Sequence, residues 1–197
     1  MMTTDDLFRL ALLVMFAASL FVAGYYRRGA ASSGEKISWR DEGLGMFFAL
    51  RLSGAIWFLA TLLYLIAPGW MRWASLPLDH RLRWMGCAVG FLAILLMACA
   101  LHSLGRNLTD TVATRADHSL ITTGPYRWVR HPYYVATLLF VVASTLITAN
   151  GFIGAVGVIV FTLLAARTPR EEQKLVDRFG DDYRAYMSRT GRFLPWL

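Results

Sequence analysis

Gly124-Pro125-Tyr126-Arg127-Trp128-Val129-Arg130-His131-Pro132-Tyr133-Tyr134 is a polar, aromatic and cationic run that opens directly into an apolar segment beginning at Val135. Gly-Pro sets a turn, and Pro132 suits the first position of a helix, where its missing N–H costs nothing. A residue before proline is held toward extended backbone, so His131 is expected just outside that helix, at its mouth. The first free N–H groups behind it should face outward, an arrangement that suits an anion. Aromatics and arginines at the start of a membrane helix give the same pattern, and spacing alone does not separate the two readings.

Downstream, residues 135–149 and 152–166 are apolar and are separated by the turn signal Asn150-Gly151. Each run of about 15 residues reaches only about 22 Å as a helix, which predicts a tilted helical hairpin or a partly re-entrant pair. Either form returns the chain to its starting side. After Arg167, the order Thr168-Pro169-Arg170-Glu171-Glu172 reads as an N-cap, a proline at the first helical position and a glutamate at the third, a capping box. The helix it predicts carries Leu175, Val176, Phe179, Tyr183, Tyr186 and Met187 on one face and is amphipathic. At 100° per residue Glu172 points to the middle of that apolar face, where a carboxylate needs a partner, and Glu171 lies near its edge. Residues 191–195 read as an apolar, proline-bearing cover.

Upstream, residues 7–26 are apolar and end in Arg27-Arg28, with Asp5-Asp6 before them. The acidic start and the length of the run argue for a retained first membrane helix over a cleaved signal peptide. A second span is expected over residues 43–67, with Arg51 inside it snorkelling to an interface, and a third over residues 82–102, closed by His102. Trp70, Trp73 and Trp84 read as interfacial anchors. At 56% hydrophobic residues and a mean hydropathy of +0.45, the chain is a membrane protein. Its net charge of +7 comes from basic residues lying between apolar segments, not from a stripe or a nucleic-acid motif, so nucleic acid is not an expected partner. Of 20 Lys and Arg, 15 fall in residues 27–42, 103–134 and 167–197, which alternating spans put on one side. That side should be cytoplasmic, with the N-terminus outside. Cys87 and Cys99 fall in one predicted helix about 18 Å apart and cannot pair there. Four scattered histidines without metal-ligand spacing give no support to a metal site.

The expected fold is thus an all-α membrane protein of about five transmembrane helices, the last two a short helical hairpin, with a cytoplasmic amphipathic C-terminal helix. One domain spans residues 1–197, with residues 1–100 as transmembrane scaffold and residues 101–197 as the chemical half. The long loop of residues 103–131, the helix mouth at His131, Arg167 and Glu171-Glu172 fall on one side and can converge on a polar pocket.

The order Leu120-Ile121-x-x-Gly124-Pro125-Tyr126-x-x-x-Arg130-His131-Pro132-x-Tyr134, then the apolar hairpin, Arg167-x-x-x-Glu171-Glu172 and Phe179-Gly180-x-x-Tyr183-x-x-Tyr186 resembles the isoprenylcysteine carboxyl methyltransferase family over about residues 101–197. The combination is shared more loosely with phospholipid N-methyltransferases, thiol S-methyltransferases and the C-terminal part of NADPH-dependent sterol reductases. The resemblance implies S-adenosylmethionine as cofactor and a lipid-like or prenylated acceptor entering from the bilayer, most readily a carboxylate; the expected location is a bacterial inner membrane. It carries cofactor contacts to His118, Ser119, Leu120, Ile121, Tyr126, His131, Pro132, Tyr133, Tyr134 and Glu171. It makes Arg167 the arginine for the acceptor and Arg167, Glu171 and Glu172 the catalytic candidates. The first two spans carry no matching motif, and Leu108 follows Asn107 where many relatives have an aromatic. A membrane reductase and a non-enzymatic membrane adaptor are the competing classes.

Overall fold

A computed structural model describes residues 2–31, 43–105 and 119–195. Six α-helices make up most of them: α1 (Thr4–Ala31), α2 (Leu44–Ile66), α3 (His80–Leu104), α4 (Pro132–Thr148), α5 (Gly151–Phe179) and α6 (Asp181–Arg189). Two short 3-10 turns, Pro68–Ala74 and Gly124–Arg127, link them. The helices α1, α2, α3 and α5 are long and apolar enough to cross a membrane, and α4, at 17 residues, is a shorter apolar helix. The spans expected over residues 7–26, 43–67 and 82–102 match α1, α2 and α3. Trp70, Trp73 and Trp84 are exposed, as interfacial anchors should be. Cys87 and Cys99 lie on α3 with free thiols.

Contacts group the helix ends as alternating spans require. At one end, Ser103 of α3 lies next to Gly124, Tyr26 of α1 meets His102 of α3, and Gly43 before α2 approaches Arg170 of α5. The opposite end is tied by the buried Arg83, which donates to the Ile147 carbonyl at 3.0 Å, pairs with Asp5 at 2.5 Å and covers the Phe8 ring. There Asn150, 1% exposed, donates to the Met71 carbonyl and caps α5 by accepting from Ile153 N.

The closest packing is between α3 and α4. A Cβ on Gly86 would lie 2.7 Å from Leu146 Cβ and 3.1 Å from the Ala143 carbonyl oxygen. Neither neighbour can swing away, so this glycine lets two backbones meet. Gly86→Ala is expected to cost about 1–3 kcal/mol by overpacking, read as a lower thermal midpoint in detergent.

The last hairpin differs from the expectation in one arm. The expected second arm of residues 152–166 and the helix expected to start afresh at Thr168 are one helix, α5, of 29 residues, roughly 43 Å long at 1.5 Å per residue. Pro169 sits inside it. Thr168 is therefore not an N-cap and Glu171 closes no capping box: the Thr168 hydroxyl bonds back to the Leu164 carbonyl at 3.1 Å, and Arg167 pairs with Glu171 at 2.7 Å across the proline. These contacts, together with the buried partners of Glu172, hold the helix through the lost N–H, a loss that a proline imposes on any helix interior. The single amphipathic face expected to run from Leu175 to Met187 is also broken. Gly180, at φ 55°, ends α5 and starts α6, a left-handed backbone position suited to glycine. Within the shorter α6, Tyr183 and Tyr186 are buried.

Candidate functional site

His131 stands at the start of α4 with φ −125° and ψ 60°, outside the helix, as the residue before a proline should. Pro132 behind it is fully buried. The N–H groups of Tyr134 and Val135 both return to the His131 carbonyl, at 3.0 and 3.2 Å. The second is the ordinary first bond of a helix, and the first takes one amide from the mouth. The C-terminal tail crosses the mouth: Arg130 N donates to Gly191 O at 2.9 Å, His131 N donates to Arg192 O at 3.1 Å, and Phe193 lies 5.9 Å from the imidazole, centroid to centroid.

Across the hairpin, α5 returns two adjacent glutamates in different surroundings. Glu172 is 4% exposed. Arg130 Nε donates to its Oε1 at 2.8 Å, Arg192 reaches Oε1 at 3.2 Å and Oε2 at 2.5 Å, and His131 Nε2 lies 3.3 Å from Oε1. Arg130 also donates to the carbonyls of Met187 and Thr190. The partner that a carboxylate on an apolar face requires is thus a pair of arginines. Neither was among the candidates, although one adjoins His131 and the other lies in the tail. The hydrogen bond to Glu172 pushes the Arg192 guanidinium pKa further up.

Glu171 faces the aromatic side of the cluster. Its Oε1 accepts from the Tyr134 hydroxyl and from Arg167 Nε, both at 2.7 Å, and its Oε2 lies 3.7 Å from His131 Nδ1. Tyr134 stacks on His131 with centroids 5.4 Å apart, and Tyr133 meets Tyr134 edge-on. Tyr126 is buried in the 3-10 turn, and its carbonyl accepts the Tyr186 hydroxyl at 2.6 Å. Burial first, then the neighbouring Tyr186 and Glu171, pushes the Tyr126 phenol far above its ordinary range.

The structure therefore brings together Tyr126, His131, Pro132, Tyr133, Tyr134, Arg167, Glu171 and Glu172. Leu120 and Ile121 are half-buried and Ser119 is exposed on the approach to the 3-10 turn, without strand pairing. His118 lies outside the described residues, as do Asn107 and Leu108. Three polar residues have local partners away from the cluster: Arg51 lies over Phe47, His102 meets the Tyr26 hydroxyl, and Arg127 lies over the exposed Trp128. An apolar groove of about 640 Å³, lined in part by Leu20, Phe21, Tyr25 and Arg28, shares no lining residue with the cluster.

The buried tyrosines give the assembly a pH signature. Burial pushes the Tyr186 phenol up to about 12, above an unfolded value of about 10. The folded state then holds its proton longer than the unfolded state. Stability from this group is complete below about pH 10 and falls as pH rises toward 12. A thermal midpoint that is flat below that window and declines within it is expected. Tyr186→Phe should remove part of the decline and, by losing the bond to Tyr126, cost about 1 kcal/mol.

Comparison with known proteins bears on the same residues. Residues 84–177 match the sequence model of the isoprenylcysteine carboxyl methyltransferase family. The match starts earlier than the motif resemblance, taking in most of α3, and stops before Tyr183 and Tyr186. Protein-S-isoprenylcysteine O-methyltransferase of Rattus norvegicus is 29% identical over 128 residues, which are 61% of this chain and 45% of that protein. The nickel-cobalt-cadmium resistance protein NccN of Alcaligenes xylosoxydans xylosoxydans is 32% identical over 99 residues, 50% of this chain and 42% of that one. The chain spans about half the length of the curated relatives it matches. In fold, the structure of the eukaryotic intramembrane Ras methyltransferase superposes with a TM-score of 0.56 at 22% identity, covering 95% of this chain and 68% of the other.

Proposed function

We propose, from the kinship of residues 84–177 with the isoprenylcysteine carboxyl methyltransferase family, that this chain is an integral-membrane methyltransferase. In this reading it uses S-adenosylmethionine and methylates a lipid-like acceptor, in the first instance the carboxylate of an isoprenylcysteine-type molecule. The observation that carries the reading is the convergence of His131 and Tyr134 at the mouth of α4 with Arg167 and Glu171 on α5.

The donor and acceptor set fits the cofactor. Glu171 offers carboxylate oxygens to an ammonium or to ribose hydroxyls, and the faces of Tyr133 and Tyr134 suit a sulfonium cation. When bound, the cofactor supplies an electrophilic methyl group. Arg167 adds a cation that can orient an acceptor carboxylate. Such an acceptor is already ionised at neutral pH, so the residues of the cluster need only align the two molecules and exclude water. Arg167 also favours a carboxylate over the amine of a phospholipid, the second choice; a thiol is the third. The charge bias of residues 27–42, 103–134 and 167–197 supports a cytoplasmic site, five crossings and an external N-terminus.

Calorimetric titration of detergent-solubilised protein with S-adenosylhomocysteine tests the cofactor. Saturable binding is expected. Folded protein that takes up none overturns the assignment.

A further inference from the structure

His131 Nε2 meets a carboxylate that has no hydrogen to give. Glu172 receives Arg130 at 2.8 Å and Arg192 at 2.5 and 3.2 Å. A carboxylate between two guanidinium groups stays ionised and is acceptor-only. The 3.3 Å contact to His131 is therefore favourable when the imidazole hydrogen sits on Nε2. In the neutral ring that leaves Nδ1 with its lone pair. The ring plane is fixed by its stack on Tyr134, at 14° between planes, and by Phe193 on another side. Nδ1 is thereby aimed at Glu171, 3.7 Å from Oε2. That separation is too long for a hydrogen bond between them, and with the hydrogen on Nε2 of the neutral ring both atoms are acceptors.

We infer that the clamp formed by Glu172, Arg130 and Arg192 sets the tautomer of His131, so that His131 Nδ1 and Glu171 together present an acceptor pair to an N–H or O–H donor of the bound ligand. This revises the expectation that the helix mouth holds an anion: the cation of the cluster's aromatic side, Arg167, takes that part. Glu172 and Arg130 are positioning residues, acting on the ligand through His131. The adjacent glutamates thus divide the work, Glu171 touching ligand and Glu172 aiming the histidine. The inference rests on the proposed function only for the ligand's identity, in which the donor is the cofactor's ammonium or a ribose hydroxyl.

The test is ¹⁵N NMR of the full chain labelled at histidine, in detergent, at a pH well above the ordinary imidazole titration near about 6.5. His131 is assigned by loss of its signals in His131→Asn. In wild type the Nε2–H tautomer is expected, and addition of S-adenosylhomocysteine should shift Nδ1 as it accepts a hydrogen bond. In Glu172→Gln, which can both donate and accept, the tautomer preference should be lost. Affinity for S-adenosylhomocysteine should fall about ten-fold, the worth of one hydrogen bond. An Nδ1–H tautomer in wild type, an unchanged preference in folded Glu172→Gln, or binding without a shift at Nδ1 overturns the inference. Wild-type protein that shows the Nε2–H tautomer but binds no S-adenosylhomocysteine would leave the clamp standing and defeat the methyltransferase reading instead.

Discussion

Glu171→Ala is expected to weaken S-adenosylhomocysteine binding by about 100-fold or more and to abolish methyl transfer, while the protein still folds. The size follows from what the carboxylate holds. Its Oε1 accepts from Tyr134 and Arg167, both at 2.7 Å, and its side chain is 15% exposed. Truncating one member of such a desolvated charged network at a binding site costs about 2–5 kcal/mol, and 2.7 kcal/mol is about 100-fold. Arg167, 10% exposed at its side chain, and Tyr134 are buried and lose a partner with it, so some stability is lost too, but the tail stays fastened through the neighbouring glutamate. Binding by calorimetry, with helicity and thermal unfolding as controls, separates the two effects. Unchanged affinity would remove Glu171 from the site.

Glu172→Ala is the variant expected to release the C-terminal tail. It leaves Arg130, 9% exposed at its side chain, buried without its counter-ion, and breaking a buried pair from one side costs about 3–5 kcal/mol. For a chain of this size that corresponds to a fall in thermal midpoint of roughly 6–20 °C. Arg192→Ala provides the contrast. That side chain is 41% exposed, and exposed partners contribute about 0–1 kcal/mol. If the two variants unfold at the same temperature, the clamp does not carry the tail. Because the tail also binds the backbone of Arg130 and His131, increased protease cleavage after residue 187 should accompany Glu172→Ala and not Glu171→Ala.

Both effects rest on a site whose parts were largely legible in the sequence. The charge bias and the apolar periods put His131, Arg167, Glu171 and Glu172 at one end of the bundle, because a hairpin of any length returns to its starting side. Side-chain direction on a helix also marked Glu172 as a carboxylate in need of a partner. The identity of that partner was not legible. Arg192 lies 20 residues from Glu172 and Arg130 lies 42 residues away, and no local period links positions so far apart.

The continuity of α5 was hidden for a different reason. Thr168-Pro169 with a glutamate at the third position is a sound helix start by local chemistry, and only contacts made across the proline, Arg167 to Glu171 and Thr168 to Leu164, turn it into a helix interior. Conversely, Gly180 stood in the sequence as a break, but the apolar spacing on either side of it favours one uninterrupted face. The backbone of the helix mouth was legible from His131-Pro132, whereas the tail's bond to His131 N–H and the Tyr134 bond to the His131 carbonyl were not.

The central claim is methyl transfer to a carboxylate at the membrane, and its most direct measurement uses purified protein in lipid vesicles with methyl-labelled S-adenosylmethionine. A prenylcysteine analogue and phosphatidylethanolamine are offered in parallel. Label is expected in a base-labile methyl ester of the prenylcysteine analogue and none on the amine. Label on the amine alone, or no transfer to either acceptor by protein that binds S-adenosylhomocysteine, contradicts the claim.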